Sequence, residues 1–357
     1  MTRPIRLEIS LPAIRHNFLF TRRHSQARSL YAVIKANAYG HGVLDTAKAL
    51  ADLADGFALL NIEDAVRLRE AGFDQAISLL EGPFDAAEAA AMADYRLSGA
   101  VHSPQQMDWL AKGSANRPVE VWLKVNSGMN RLGFRPEEAA AAQARLQSLP
   151  GARLTAIMTH FATADEDYGV AEQWSRFEPL AAASGLKICA ANSAALLRHP
   201  HTHGDIGRPG IVLYGASPFE SETGTDLGLM PAMTLSADII AVQQLQPGDA
   251  IGYGRRFVAD RPMRIGVVAC GYADGYPRVA ANGAPAAIDG QPCKLVGRVS
   301  MDMLTVDISH LPQAGVGSWV ELWGPNAPIE KVAAAAGTIS YELMSAVMPR
   351  VPRVAHS

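Results

Sequence analysis

The chain has 357 residues, enough for about two domains at roughly 150 residues each, and its 48% apolar and 19% charged content excludes intrinsic disorder. The 32 basic and 35 acidic residues are mixed along the chain and leave a formal charge of −3, so it shows no electrostatic footprint for nucleic acid or an anionic membrane. Three cysteines (Cys189, Cys270, Cys293) without metal or disulfide spacing, and an N-terminal stretch broken by Arg3, Arg6, Glu8 and Arg15, predict a soluble, cytoplasmic chain with no structural metal.

In chain order, residues 6–9 alternate like a strand that can pair with either domain. Seven β-rich runs then recur at 31–34, 57–60, 77–80, 97–101, 119–125, 154–158 and 186–190. Segments of helical character lie between them, at 62–71, 104–110, 137–149 and 172–183. Strand alternating with helix implies a parallel sheet. Runs apolar on both faces, with a short eighth strand at 203–208, fit an α/β fold of the (β/α)8, TIM-type barrel class; a doubly wound open sheet gives a similar local pattern.

After a polar stretch at 217–228 the texture changes. Alternating runs at 234–242, 265–269, 294–299, 304–308 and 319–323 are separated by Gly and Pro, which predicts a mostly β second domain. Helical pieces at 330–336 and 341–347 close the chain. The expected division is 1–227, the barrel, and 228–357, the β domain.

Lys35 follows the first apolar run. A lysine at the C-terminal end of a buried strand is costly unless paired or used, and on a parallel barrel that end is the functional face. It is either a lysine snorkelling to water or a desolvated amine, the usual Schiff-base nucleophile. Polar residues also follow later strands: His160, Asn192 with Ser193, and Arg208-Pro-Gly210. Each has an ordinary alternative, Ser193 as a helix cap and His160 as a core histidine. Together at one barrel mouth they suit a phosphorylated aldehyde, with lysine for the aldehyde and with serine and backbone amides for the phosphate.

Eight motifs, in order along the chain, resemble those of alanine racemases. They are AVIKANAYGHG at 32–42, LKVNSGMNRLG at 123–133, THFA at 159–162, RPGI at 208–211, IGYGR at 251–255, GYADGY at 271–276, GRVSMD at 297–302 and YELM at 341–344. Asn126 departs from the aspartate common in the family, which changes one local charge beside Lys124. The resemblance implies a pyridoxal 5'-phosphate enzyme that interconverts L-alanine and D-alanine, for peptidoglycan or for alanine catabolism. It implies an eight-fold barrel followed by a β domain, and a homodimer with shared active sites.

By the same resemblance, Lys35 carries the cofactor and serves as base on the D side, while Tyr253 is the base on the L side. Tyrosine, with an unperturbed pKa of about 10, then needs a supporting network, which the family builds from His160 and Arg208. Arg208 faces the cofactor's ring nitrogen, and has no proton to spare for it. Tyr39, Ser193, Gly210, Ile211 and Tyr341 surround the phosphate, with Asn192 nearby. Arg131 and the Met301 amide take the substrate carboxylate, and Lys124 matches a lysine that is often carbamylated. The alternatives are a broad-specificity amino-acid racemase and a non-catalytic carrier of the cofactor. A carrier has no need of Tyr253 or of the β domain.

Overall fold

The computed structural model describes residues 3–114 and 117–356. Met1, Thr2, Ala115, Asn116 and Ser357, which the expected domain spans include, lie outside the described residues. The chain divides into two compact units. One comprises Arg15–Ala38 and Gly42–Leu213; the other comprises Met1–Ile14, Tyr39–His41 and Tyr214–Ser357.

The strands, in chain order, begin with β1 (Ile5–Ser10), which belongs to the second unit. The first unit holds β2 (Ser29–Val33), β3 (Gly56–Leu59), β4 (Ala76–Leu79), β5 (Ser98–Val101), β6 (Val119–Lys124), β7 (Ala152–Met158), β8 (Lys187–Cys189) and β9 (Ile206–Gly207). These eight form one parallel sheet in the order β8-β7-β6-β5-β4-β3-β2-β9. The expected barrel is therefore present and nearly closed. At its seam Asp205 N donates to Ile188 O at 2.8 Å and Ile188 N donates to the Asp205 carboxylate at 2.9 Å. All four residues of β3 and all four of β5 are buried. That two-sided burial is why their sequences run apolar instead of alternating.

The barrel interior packs Ala100, Trp122, Ala156, Met158, Cys189 and Ile206 together. Truncating a side chain such as Trp122 there costs roughly 3–5 kcal/mol. The helices between strands start and stop on ordinary signals. Asp85 accepts from Glu88 N at 2.7 Å before Ala86–Asp94, and Ser103 caps Pro104–Gly113, with proline in the first turn. Gly185, at φ 69°, ends Ala171–Ser184.

The second unit continues with β10 (Met233–Leu245), β11 (Ala250–Ile251), β12 (Phe257–Val258), β13 (Met263–Val268), β14 (Pro285–Ile288), β15 (Gln291–Leu295), β16 (Leu304–Asp307), β17 (Trp319–Trp323) and β18 (Arg353–His356). The 13-residue β10 is the spine, antiparallel to β1, β13 and β17. The opening strand thus pairs here, with Leu7 opposite Leu235, and β18 lies parallel on its other edge. Its alternation is a one-sided burial pattern: Ile5, Leu7 and Ile9 are buried while Arg6 is exposed.

Several details differ from the sequence expectation. The run at 294–299 ends at Leu295 because Gly297, at φ 76°, turns the chain out of the ladder. β14 and β18 carry prolines or flanking charges that hid them, and the alanine-rich helix Ala86–Asp94 has no apolar stripe to give it away. The compact units part between Leu213 and Tyr214, and the second one reclaims residues from the N-terminal end.

Candidate active site at the barrel mouth

Lys35 lies two residues past the end of β2, where the backbone does something uncommon. Ala36, Asn37, Ala38 and Tyr39 have φ of 51°, 53°, 54° and 51°, a left-handed turn without a glycine. At roughly 1–2 kcal/mol per residue, such a run costs on the order of 4–8 kcal/mol. Three bonds inside the barrel unit hold it: Ala38 N donates to Ile34 O at 3.0 Å, Gly42 N to Asn37 O at 2.8 Å, and Val43 N to Asn37 Oδ1 at 3.0 Å. Backbone strain of this size persists where the surroundings over-determine it, as at functional sites. Burial lowers the Lys35 pKa, and the charge of Arg131 lowers it further. Both favour the unprotonated amine that a nucleophile needs.

Arg208 is 3% exposed and held by three main-chain oxygens, a thiol and a histidine ring. Its Nη1 donates to Cys189 O at 3.0 Å and Cys189 Sγ at 2.8 Å; its Nη2 donates to Thr159 O at 2.9 Å and Ala190 O at 3.2 Å. Nη2 also stands 3.4 Å from His160 Nδ1. Burial, followed by the charge of Arg208, pushes the His160 pKa well below its usual value, so the imidazole is neutral. A neutral ring that accepts at Nδ1 carries its proton on Nε2. Among the described residues no acceptor engages Arg208 Nε, which leaves that one N–H for a ligand.

Lys124 ends β6 and is 7% exposed. Burial brings its pKa down to about 8, helped by Arg208 and Arg131. The loop after it is pinned at both ends, Phe134 N donating to Lys124 O at 2.9 Å and Asn126 N to Phe134 O at 2.8 Å. Within the loop Asn126 Oδ1 accepts from Gly128 N at 3.2 Å and Asn130 N at 2.9 Å, and its Nδ2 donates to Asn130 Oδ1 at 3.1 Å. An aspartate could make the first two bonds and not the third, so Asn126 and Asn130 work as a pair carrying Arg131. A cavity of about 10 Å³ lies among Lys124, Asn126, Arg131 and His160, room for one water-sized molecule.

At the end of β8 it is Asn192 that caps the helix Ser193–Arg198, its Oδ1 accepting from Ala195 N at 3.0 Å. Ser193 is thereby released from the capping role that competed for it. Its Oγ accepts from Gly210 N at 2.8 Å and keeps its own proton to donate. Ile211 opens the short helical turn Ile211–Tyr214 directly after Gly210. The barrel unit thus carries Lys35, Lys124, Arg131, His160, Asn192, Ser193, Arg208, Gly210 and Ile211 at or after the C-terminal ends of its strands.

The other four expected residues belong to the second unit. The Tyr39 ring stands 5.8 Å from that of Tyr341 and 4.8 Å from that of Tyr214. Gly40, at φ 81°, lets the chain pass Met344 O, which a Cβ would meet at 2.3 Å. Tyr253 is 69% exposed in a turn between two positive-φ glycines, and Met301 is 53% exposed. Sequence reasoning missed Cys189 as a partner of Arg208. It sits inside an apolar strand and gives no signal there.

A donor set of one arginine N–H, one serine O–H and an amine held toward neutrality fits a group with an acceptor ring nitrogen, a phosphate and an aldehyde. Family models described as alanine racemase, N-terminal domain, and alanine racemase, C-terminal domain, match residues 9–218 and 232–355. The alanine racemase of Laribacter hongkongensis is 58% identical over 354 residues, 99% of either chain. That of Nitrosomonas europaea is 51% identical over 359 residues, again covering 99% of both. The crystal structure of the biosynthetic alanine racemase from Pseudomonas aeruginosa superposes with a TM-score of 0.96 at 44% identity, covering all of both chains. The Bartonella henselae alanine racemase with covalently bound pyridoxal phosphate gives 0.88 at 28% identity over 99% of each. The chain belongs to the alanine racemase family.

Proposed function

We propose that this protein interconverts L-alanine and D-alanine with pyridoxal 5'-phosphate as cofactor, using one base on each face of the substrate. The observation that carries this is the relationship to alanine racemases along the whole chain, at up to 58% identity among those compared. The cofactor supplies an aldehyde that an amine can join and a ring that spreads the charge left when the α-proton departs.

The protein's own residues have to bind, orient and move protons. Lys35 Nζ, lowered toward neutrality by burial, would hold the cofactor through its aldehyde, with loss of one water, and, once the substrate's amine has displaced it, would take or return the α-proton on the D face. Arg208 Nε offers its N–H to the ring nitrogen and keeps its own proton, since a guanidinium has none to give at neutral pH. Ser193 Oγ and the amides near Gly210 and Ile211 hold the phosphate, Asn192 fixes the helix that carries Ser193, and Tyr39 and Tyr341 are assigned to the same group. Arg131 and Met301 N–H take the substrate carboxylate.

Tyr253 moves the proton on the L face. Its exposure in a single chain supports a homodimer in which each site draws its tyrosine from the partner, with His160 Nε2–H positioned to donate to that phenol oxygen. Carbon dioxide adds to the unprotonated Lys124 amine, with release of one proton, to give a carbamate that offsets the surrounding positive charges. The lowered pKa and the small cavity beside Lys124 support this step. The functional division is taken near 227, between the family-model matches that end at 218 and begin at 232, whereas the compact units part between Leu213 and Tyr214. A cytoplasmic location, in which the three buried thiols stay reduced, belongs to the same reading.

The test is a chiral assay of the purified holoenzyme against the common amino acids, with borohydride trapping of the cofactor. Alanine should be turned over preferentially and the label should sit on Lys35. Preferred turnover of serine or lysine would move the assignment to a broad-specificity racemase, and a label elsewhere would sink the role of Lys35.

A further inference from the structure

The GYADGY motif holds an aspartate that the reaction does not use. Asp274 is fully buried and meets two guanidinium groups, Arg350 Nε at 2.7 Å and Arg3 Nη2 at 3.3 Å. Its Oδ2 also accepts from Gly271 N at 2.9 Å. Asp302 completes a ring of alternating charge: its Oδ1 accepts from Arg350 Nη2 at 2.7 Å and lies 3.7 Å from Arg3 Nη1. The main-chain oxygen of Asp302 accepts from Arg3 Nη2 at 2.8 Å. The two arginines come from opposite ends of the chain and the two aspartates from neighbouring loops, all in the β unit.

This ring fixes one loop upon another. Tyr272 N donates to Ser300 O at 3.0 Å, Ala273 N donates to Met301 O at 2.9 Å, and Ser300 N donates to Met303 O at 2.8 Å. Gly271 permits the approach, since a Cβ there would fall 2.4 Å from both the Ser300 and Met301 oxygens. A trans peptide is planar, with its N–H opposite its carbonyl. Clamping Ser300 O from one side therefore aims Met301 N–H to the other, and among the described residues that N–H meets no main-chain acceptor.

We propose that Asp274, held by Arg3 and Arg350, is a positioning residue for carboxylate recognition: it sets the plane of the 300–301 peptide so that Met301 N–H is presented to the substrate carboxylate. The inference rests on the racemase reading and on Met301 as a carboxylate contact. The carboxylate is common to both enantiomers, so the effect is symmetric, unlike a defect in either base.

The experiment compares wild type, Asp274→Asn and Arg3→Ala as holoenzymes, with KM and kcat measured in both directions and propionate binding measured by calorimetry. Asp274→Asn should raise KM for L- and D-alanine and the propionate Kd by the same factor, about tenfold, a loss of the size expected for one charge-assisted contact. Its kcat should stay within about threefold of wild type. Arg3→Ala, which removes a half-exposed partner, should show the same pattern at about threefold and decides the matter where Asp274→Asn does not fold. Unchanged KM and propionate binding in the folded variants, or a fall in kcat alone, overturns the positioning role. A wild type that binds propionate without racemising alanine overturns the assigned reaction instead.

Discussion

At the barrel mouth Arg208 is 3% and Lys124 7% exposed, and burial is the largest cause of the shifts at Lys35, Lys124 and His160. In the β unit Tyr253 is 69% and Met301 53% exposed, the second on a loop whose backbone is bonded to residues 272 and 273. The barrel makes its groups reactive by taking them out of water, where charge–charge effects are strong. The β unit leaves its groups in water and contributes placement. If Tyr253 is the proposed base, something else has to supply its dry surroundings.

The largest test of that contrast removes one proposed base from each region. Lys35→Ala and Tyr253→Phe should each lower racemisation by roughly three orders of magnitude or more, as loss of a general base or covalent nucleophile does. Mixed and re-associated in equal amounts, the two chains should recover about a quarter of wild-type activity. Half of the dimers are then hybrids and one of the two sites in each has both bases. No recovery would mean that each subunit uses its own tyrosine.

A smaller effect is expected of Gly40→Ala. The new Cβ would meet Met344 O at 2.3 Å on a residue held at φ 81°, so unfolding in urea should show a loss of roughly 3 kcal/mol. A loss below about 0.5 kcal/mol would show that this passage in the β unit is soft. Least in size is the pH dependence of Lys124. With its folded pKa near 8 against 10.5, the unfolded chain binds more protons between those values, so the stability contributed here rises with pH across that window. Below pH 8 the cost is present in full. With carbon dioxide excluded, the Tm difference between Lys124→Met and wild type should therefore narrow as pH rises from 8 to 10.5. A difference independent of pH would argue against a titrating amine at this position.

The architecture was legible because parallel barrel strands, buried on both sides, run apolar at regular intervals, and because β1 alternates cleanly. The eighth strand was hard to see because only Ile206 and Gly207 pair in it. The proposed site residues of the barrel were visible as polar side chains at or just past strand ends. Their mutual support was not: the three carbonyls and one thiol around Arg208 are main-chain geometry and an apolar-looking cysteine, and neither has a sequence signature. The left-handed turn at 36–39 was equally hidden, since alanine and tyrosine carry no mark of positive φ. Asp274 stood in a motif, but its partners Arg3 and Arg350 are 271 and 76 residues away, and only the fold brings them to it.

The pairing of β1 with β10 and β18 bears on how the chain is made. Strand β1 leaves the ribosome first, its antiparallel partner comes more than two hundred residues later, and its parallel partner ends the described chain. The barrel strands from β2 to β8 pair consecutively, β2 with β3 through β7 with β8, so most of that sheet can assemble as it emerges. At about 5–20 residues per second, β1 waits roughly 10–45 s with both edges open. An unpaired strand edge is a template for aggregation. Here Arg6 and Glu8 lie on the exposed and half-exposed face of that strand, and charges so placed discourage mispairing during the wait.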